Sequence, residues 1–417
     1  MYLKVQIISK EKYEDYLNKN HSGNFWQSEF YFDAKLQQGQ EVLFIGGYKN
    51  NKLCAVGGLL AYPSVLGKKI YRCPRGFLLD YKDKILVQEF FDGVKILLKK
   101  HNGLYVRFDP YIEYQERDMD GNLVEHGINN QLVVDNLLKV GCKHRGFYTG
   151  YDVTGEPRWM FILNLKDKEK EKLRSSFSQQ TKRSIQKAEK SGVKVRELSK
   201  EELSLFVQVM EHTEERKGFG SPTLEYYEKM FDVGKEHVKF LVAELDFQEY
   251  KEKLEKEKNK HENDLQDIEK KIEEQPNDKK LQKKKRIEES LELTHKKLKE
   301  VENEEGIKPL AVAMFSVYGN EVLYLFGGAY DEYMKFCPQY LIQWTMITYA
   351  IDNHYDIYNF YGISGNFDVD NKDYGVYRFK RGFQGRVVEL IGDFEYVVNP
   401  IFVLYQTMKK LKTMIKK

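Results

Sequence analysis

Short apolar runs bounded by turns alternate along this chain with amphipathic helical stripes, and one long charged stretch interrupts them. Residues 41–48 and 53–60 flank Lys49-Asn50-Asn51-Lys52 and predict a β-hairpin. Runs at 70–73 and 105–108 predict further strands. Between them Leu86, Phe90, Val94 and Leu97-Leu98 form the stripe of a helix over 83–100. A helix over 131–140 follows. The same kinds of element then recur: a strand at 160–165, a basic helix over 173–191 stopping at Gly192, helices over 200–217 and 223–231, and a strand at 238–243. Beyond the charged stretch come strands at 310–317 and 321–327, a helix over 340–353, and strands at 357–360 and 388–391. The pattern predicts two mixed α/β units of similar design, side by side.

The charged stretch, about 248–303, is built almost wholly of Lys, Glu, Asp, Gln and Asn. Its few apolar residues keep steps of three and four. They fall at Tyr250, Leu254, Leu265, Ile268 and Ile272, with His261 in the series, and then at Ile287, Leu291, Leu298 and Val301, with Thr294 in the series. That spacing predicts two helices packed along a coiled-coil seam. Gln275-Pro276-Asn277-Asp278 breaks the seam midway, since proline lacks the amide hydrogen a helix interior needs. At 1.5 Å per residue each helix reaches roughly 40 Å. The expected division is a first unit over 1–151 and a second over 152–244 and 307–380. The arm, 245–306, grows from the second unit with a seam closed within itself, and 381–417 packs back on the first.

A chain of 417 residues exceeds one ordinary core and suits two units plus an arm. Its 29 Tyr and 25 Phe supply much of the apolar surface a core needs. The net charge of +3 is too small to argue for nucleic-acid binding, so local clusters matter more. These are Lys182-Arg183 with Lys187 and Lys190, the run 283–286, and the tail lysines from Lys409 to Lys417. No apolar run reaches the ~20 residues of a membrane span. The opening residues show no basic segment before an apolar core, so a cytoplasmic protein is expected. Cys54, Cys73, Cys142 and Cys337 have no CxxC spacing and the histidines are dispersed, so reduced thiols and no metal site are expected.

Several short motifs stand in order along the chain. The first half holds Arg75-Gly76-Phe77-Leu78-Leu79-Asp80-Tyr81, Arg107-Phe108-Asp109-Pro110-Tyr111 and Pro157-Arg158-Trp159. Thr181-Lys182-Arg183-Ser184-Ile185 and Glu215-Arg216-Lys217-Gly218-Phe219 follow. Last come Leu325-Phe326-Gly327-Gly328, Gln343-Trp344, Tyr358-Asn359-Phe360-Tyr361-Gly362-Ile363-Ser364-Gly365 and Tyr377-Arg378-Phe379-Lys380. In this order and spacing, with the hairpin between them, the chain resembles the Fem-type (FemABX) aminoacyltransferases, which build peptidoglycan cross-bridges in Gram-positive bacteria. The resemblance runs over nearly the whole sequence. It implies an α/β (α+β) chain of two acetyltransferase-like (GNAT-like) domains that bind no acetyl-CoA, with an antiparallel two-helix coiled-coil arm. It implies no cofactor, with aminoacyl-tRNA as co-substrate. The acceptor it implies is the side-chain amine of the stem-peptide lysine on a muramyl-peptide precursor, commonly lipid II at the inner membrane face.

Such a reaction needs little covalent help, because the ester is already activated. The enzyme must hold the amine against the carbonyl, take a proton, and stabilise the developing oxyanion. The resemblance assigns the last task to Lys380, with Phe379 positioning the tRNA 3′ end; Lys380 reads equally as a surface lysine at a strand end. Asp109, at a strand end before proline, is placed to orient or deprotonate the amine, and equally to cap a turn. Lys35 and Tyr226 match phosphate- and precursor-binding positions in relatives that use a soluble nucleotide-linked precursor, and Lys35 reads equally as a solvated helix lysine. There the pattern breaks: Pro222 stands where those relatives have arginine, and Phe326 where they have tyrosine. A lipid-linked acceptor is therefore expected.

Arg183, Lys187 and Lys190 share one face of the basic helix, suited to tRNA phosphates or simply to solvent. Asn399-Pro400 begins a helix whose stripe of Ile401, Leu404, Tyr405, Met408, Leu411 and Ile415 either packs on the parent unit or rests on anionic lipid. Two other functions fit the same residues: an aminoacyl-tRNA transferase acting on a lipid or protein acceptor, and a non-catalytic coiled-coil adaptor. Retention of Asp109, Lys35 and Phe379-Lys380 argues against the adaptor.

Overall fold

The computed structural model describes residues 3–20, 23–152, 154–217, 220 and 222–407. They form two mixed sheets flanked by helices. The first has seven strands, in spatial order Lys4–Ile7, Glu41–Lys49, Lys52–Pro63, Lys69–Cys73, Gly103–Phe108, Phe394–Val397 and Lys143–His144. The second has eight: Glu113–Glu116, Arg386–Leu390, Trp159–Asn164, Ile357–Ile363, Glu321–Ala329, Ile307–Tyr318, Val238–Asp246 and Lys194–Glu197. Each sheet holds one parallel pair joined by a helical crossover, the connection that parallel strands require. In the first, helix Lys84–Lys100 links Lys69–Cys73 to Gly103–Phe108. In the second, helix Pro338–Asp352 links Glu321–Ala329 to Ile357–Ile363. Asp83 starts the first crossover by accepting the amides of Ile85 and Leu86.

Strands cross the expected unit boundaries. Glu113–Glu116 lies inside 1–151 yet edges the second sheet, pairing with Arg386–Leu390. The segment 381–417 also divides, with Arg386–Leu390 in the second sheet and Phe394–Val397 against Gly103–Phe108 in the first. Gly392, at φ +87°, makes the turn between them.

Three buried apolar clusters hold this arrangement. Phe77, Phe90, Phe91, Phe108 and Tyr396 fill the first unit. Phe161, Phe177, Trp344, Phe360 and Phe383 fill the second. The third lies between the sheets and joins Tyr13, Trp26, Phe30, Phe32 and Phe44 to Phe206, Tyr227, Phe240 and Met314. Gly58 leaves room for the tip of the Phe32 ring against the first sheet, where a Cβ would stand 2.2 Å from Phe32 Cζ.

The arm replaces a hairpin loop. Asp246 pairs with Ile307 across adjacent strands and also caps helix Phe247–Glu274, accepting the amides of Gln248 and Glu249. Helix Asp278–Glu300 returns alongside. Contacts from Lys251 to the Glu302 carbonyl (2.7 Å), Lys284 to Glu269 (2.7 Å) and Lys280 to the Lys271 carbonyl (2.6 Å) fix the antiparallel register. The seam is not closed within itself. Phe247, Tyr250, Leu254 and Val301 belong to the second unit's core, and Phe247 and Tyr250 both pack on Phe336.

Two helical readings need correction. The basic helix over 173–191 is two helices, Lys170–Ser176 and Gln179–Ser191. Phe177 turns into the core between them, and Ser178 caps the second by accepting the Thr181 amide. Lys380, read as standing at a strand end, lies in helix Tyr374–Arg381.

Candidate active site

Strand Gly103–Phe108 is buried throughout, and Asp109 leaves its end at the junction of the two units. Asp109 Oδ1 accepts the Arg75 backbone amide at 3.0 Å, and Oδ2 accepts Arg75 Nη1 at 3.3 Å. Arg75 adopts φ +54° and is followed by Gly76 at +80°, where a Cβ would stand 2.7 Å from Pro110 Cα. Only glycine fits so close a backbone approach. The Arg75 guanidinium is fully buried. It lies 4.7 Å from the Trp26 ring and 5.4 Å from the Tyr111 ring, and donates to the Pro157 carbonyl at 3.2 Å.

Charge surrounds this pair. Arg72 reaches Glu156 at 3.5 Å, and Arg107 bonds both Asp152 and Asp393 at 2.8 Å. Asp109 borders a cavity of about 10 Å³ with Tyr148, Glu156, Arg158 and Asp393, room for about one water. Burial pushes the Asp109 carboxyl up to about 7 against the pull of Arg75, and Asp393 pushes it the same way. Besides its place before Pro110, Asp109 thus forms a buried ion pair with Arg75.

Lys380 lies on helix Tyr374–Arg381 and is buried, not exposed at a strand end. Its Nζ donates to the Gly362 carbonyl at 2.6 Å. Phe379, beside it, is half-buried and meets Tyr340 edge-on at 4.8 Å and Phe383 at 5.6 Å. Tyr361, the neighbour of Gly362, stacks on Trp26 and donates its hydroxyl to Glu156 at 2.5 Å. Asp109 and Lys380, from distant parts of the sequence, are therefore joined by one chain of contacts through Arg75, Trp26 and Tyr361–Gly362.

Lys35, Tyr226 and Pro222 form a second group. The Lys35 Nζ lies 5.4 Å from the Tyr31 ring and 5.6 Å from the Tyr226 ring, and burial lowers its pKa. Burial likewise raises the Tyr226 phenol. Tyr226 and Pro222 line a cavity of about 390 Å³ with Gln38, Thr223, Glu225 and Lys229. Phe326 stands one ring further in, edge-on to Tyr227 at 5.9 Å. Arg183, Lys187 and Lys190 are exposed on helix Gln179–Ser191. That helix starts against the end of the Lys380 helix, where the Ser178 amide donates to the Gly382 carbonyl at 2.9 Å.

Arg75, Trp26, Tyr111, Glu156 and Tyr361 received no role from the sequence. Arg75, Tyr111 and Tyr361 stand inside the motifs quoted above. Sequence alone does not tell that an arginine there is buried, so it leaves Asp109 without a charge partner. Glu156 and Trp26 carried no signal.

Known proteins resemble this chain over nearly its whole length. The profile of the FemAB family matches residues 8–410. Aminoacyltransferase FemA of Staphylococcus epidermidis (strain ATCC 35984) is 35% identical over 417 residues, covering 98% of this chain and 100% of that protein. Aminoacyltransferase FemA of Staphylococcus aureus (strain MRSA252) is 32% identical over 420 residues, covering 99% and 100%. The crystal structure of FemX superposes with a TM-score of 0.73 at 24% identity, over 97% of this chain and 99% of that one, and so shares its fold.

Proposed function

The chain belongs to the FemAB family and is an aminoacyltransferase, and from that premise we propose that it moves an amino acid from aminoacyl-tRNA to the stem-peptide lysine of a lipid-linked muramyl-peptide precursor, building the interpeptide bridge. The observation that carries the reading is the buried Lys380 ammonium, joined through Gly362, Tyr361, Trp26 and Arg75 to a carboxyl, Asp109, that burial holds near neutral pKa.

In this mechanism the lysine amine attacks the ester carbonyl carbon. Asp109 takes the proton the nitrogen loses as the new C–N bond forms. Lys380 stabilises the oxyanion, and Phe379 and Tyr340 position the 3′ nucleotide. Collapse of the tetrahedral intermediate breaks the C–O bond, and the departing tRNA hydroxyl regains a proton. No metal and no acetyl-CoA enters these steps. Arg183, Lys187 and Lys190 meet tRNA phosphates, while Lys35 and Tyr226 hold the precursor beside the Pro222 cavity.

Proline at 222 removes a cation from that cavity, and phenylalanine at 326, packed behind it on Tyr227, removes a hydroxyl nearby, which favours a lipid-linked over a nucleotide-linked acceptor. The tail supports membrane contact. Phe402 and Tyr405 pack on Tyr105, which leaves Val403 and Leu404 exposed. Of the predicted stripe, Ile401 and Tyr405 pack against Tyr105 and Phe402 while Leu404 faces out; Met408, Leu411 and Ile415 lie outside the described residues. No helix among the described residues is long and apolar enough to cross a membrane.

Incubating the protein with lipid II and charged tRNA, then weighing the product, tests the reading. One added aminoacyl residue is expected. Undiminished turnover with uncharged tRNA, ATP and free amino acid would overturn it.

A further inference from the structure

Tyr361 carries φ +65°, in the left-handed region that bulky side chains avoid. It sits in a β-bulge. Strand Ile357–Ile363 pairs Asn359 with Ile162 and then Gly362 with Met160, so Phe360 and Tyr361 together face one residue of the neighbouring strand. Three contacts hold it there. Asn359 Oδ1 accepts the Tyr361 amide at 2.8 Å. The Tyr361 ring stacks on Trp26, centroids 5.3 Å apart, and its hydroxyl donates to Glu156. Asn359 is itself fixed, since its Nδ2 donates to the Tyr111 hydroxyl at 2.9 Å and to Glu321 at 3.1 Å. A strained residue persists only where its surroundings over-determine it, and such residues gather at functional sites.

The next residue presents the carbonyl that receives Lys380. Gly362 has no room for a side chain, because a Cβ would stand 2.6 Å from Pro157 Cγ. The Pro157 carbonyl in turn receives Arg75, the partner of Asp109. The bulge is therefore packed between the two groups assigned to the chemistry.

We propose that Tyr361 is a positioning residue, whose strained bulge aims the Gly362 carbonyl and so fixes Lys380 relative to Asp109. This rests on the roles given above to Lys380 and Asp109. It goes beyond them by assigning the coupling of the two units at the reacting centre to one side chain.

The full chain, supplied with charged tRNA and lipid II, is compared as Tyr361→Phe, Tyr361→Gly, Lys380→Ala and the double variant Tyr361→Gly/Lys380→Ala. Tyr361→Gly relieves the backbone but releases the carbonyl, so kcat should fall about 10²-fold while KM for both substrates stays near the parent value. Tyr361→Phe keeps the stacking and loses only the bond to Glu156, and should cost about fivefold. Because Tyr361 acts through Lys380, the double variant should be no slower than Lys380→Ala alone.

Additive losses, or a parent-like Tyr361→Gly beside a slow Lys380→Ala, overturn the positioning role and leave Lys380 in the mechanism. A parent-like Lys380→Ala overturns both. A loss of kcat that only tracks the fraction of unfolded protein in a thermal melt assigns Tyr361 to stability instead. Should Tyr361→Gly fail to fold, the Lys380 side-chain NMR resonances in Tyr361→Phe decide: displacement supports the coupling, and unmoved resonances overturn it.

Discussion

A lysine with 5% of its surface exposed and its nitrogen 2.6 Å from a carbonyl has been taken out of water for a reason, and removing it tests that reason. Lys380→Ala should lower turnover by about 10²–10³. Lys380→Met, which keeps the packed stem, should be as slow while melting close to the parent, which separates chemistry from packing. Asp109 makes a pH prediction. Its carboxyl stands near 7 when folded, far above the ordinary carboxylate range, so the turnover rate should rise as pH passes through about 7 and the base loses its proton. Asp109→Asn should be slow and flat with pH. The linkage sign follows from the raised value. Stability from this group is complete below the unfolded pKa and lost as pH rises through the folded one. The Tm of Asp109→Asn should therefore gain on the parent as pH rises from about 4 to about 7 and hold that gain above it. Single-residue identities were legible here to different depths. Asp109-Pro110 stood out as a strand end, but the helix bearing Lys380 did not. Tyr374 and Tyr377 stand three apart, but the helix is only 8 residues long, too short for that spacing to repeat into a stripe.

Among elements, the arm divides into a root that serves the core and a shaft that does not. Replacing 246–305 by a short loop removes Phe247, Tyr250, Leu254 and Val301 from the second unit's core, each worth about 2–5 kcal/mol. That protein should be insoluble or melt many degrees lower. Cutting higher, at about 257–296, keeps those four and should leave the melt nearly unchanged, since loop closure is a small cost. If the shaft holds tRNA, the higher cut should raise the aminoacyl-tRNA needed for a given rate, and more steeply as salt rises. The seam itself was legible, because residues at three-four steps have no other way to leave water. The root was not, since Phe247 and Tyr250 continue the same periodicity into a different environment. The break at Phe177-Ser178 left a signal that apolar spacing alone overrode: a serine directly before a helical run is a cap.

At the scale of the whole molecule, the apolar cluster between the sheets makes the two units one body. Residues 1–151 expressed alone would expose Phe30, Phe32 and Phe44, lose the strand Phe394–Val397, and should not give a stable fold. The full chain should unfold in a single calorimetric transition. The acceptor cavity makes a second prediction at this scale: at equal concentration lipid II should outcompete the soluble UDP-linked pentapeptide, and a preference for the nucleotide form would withdraw the meaning given to Pro222 and Phe326. The two-unit architecture was readable because each parallel pair needs a helix between its strands. The exchange of strands between units was not, since no local pattern reports which sheet an edge strand joins. That exchange bears on how the protein is made. Asp393, at the foot of the strand that covers Gly103–Phe108, lies 286 residues after its partner Arg107. A ribosome adding ~5–20 residues per second needs roughly 15–60 s to cover that distance. Throughout that interval a largely apolar strand edge stays unpaired and Arg107 lacks its partner Asp393, so a nascent chain stalled before residue 394 is a template for aggregation, and a chaperone that shields this edge should raise the yield of active protein.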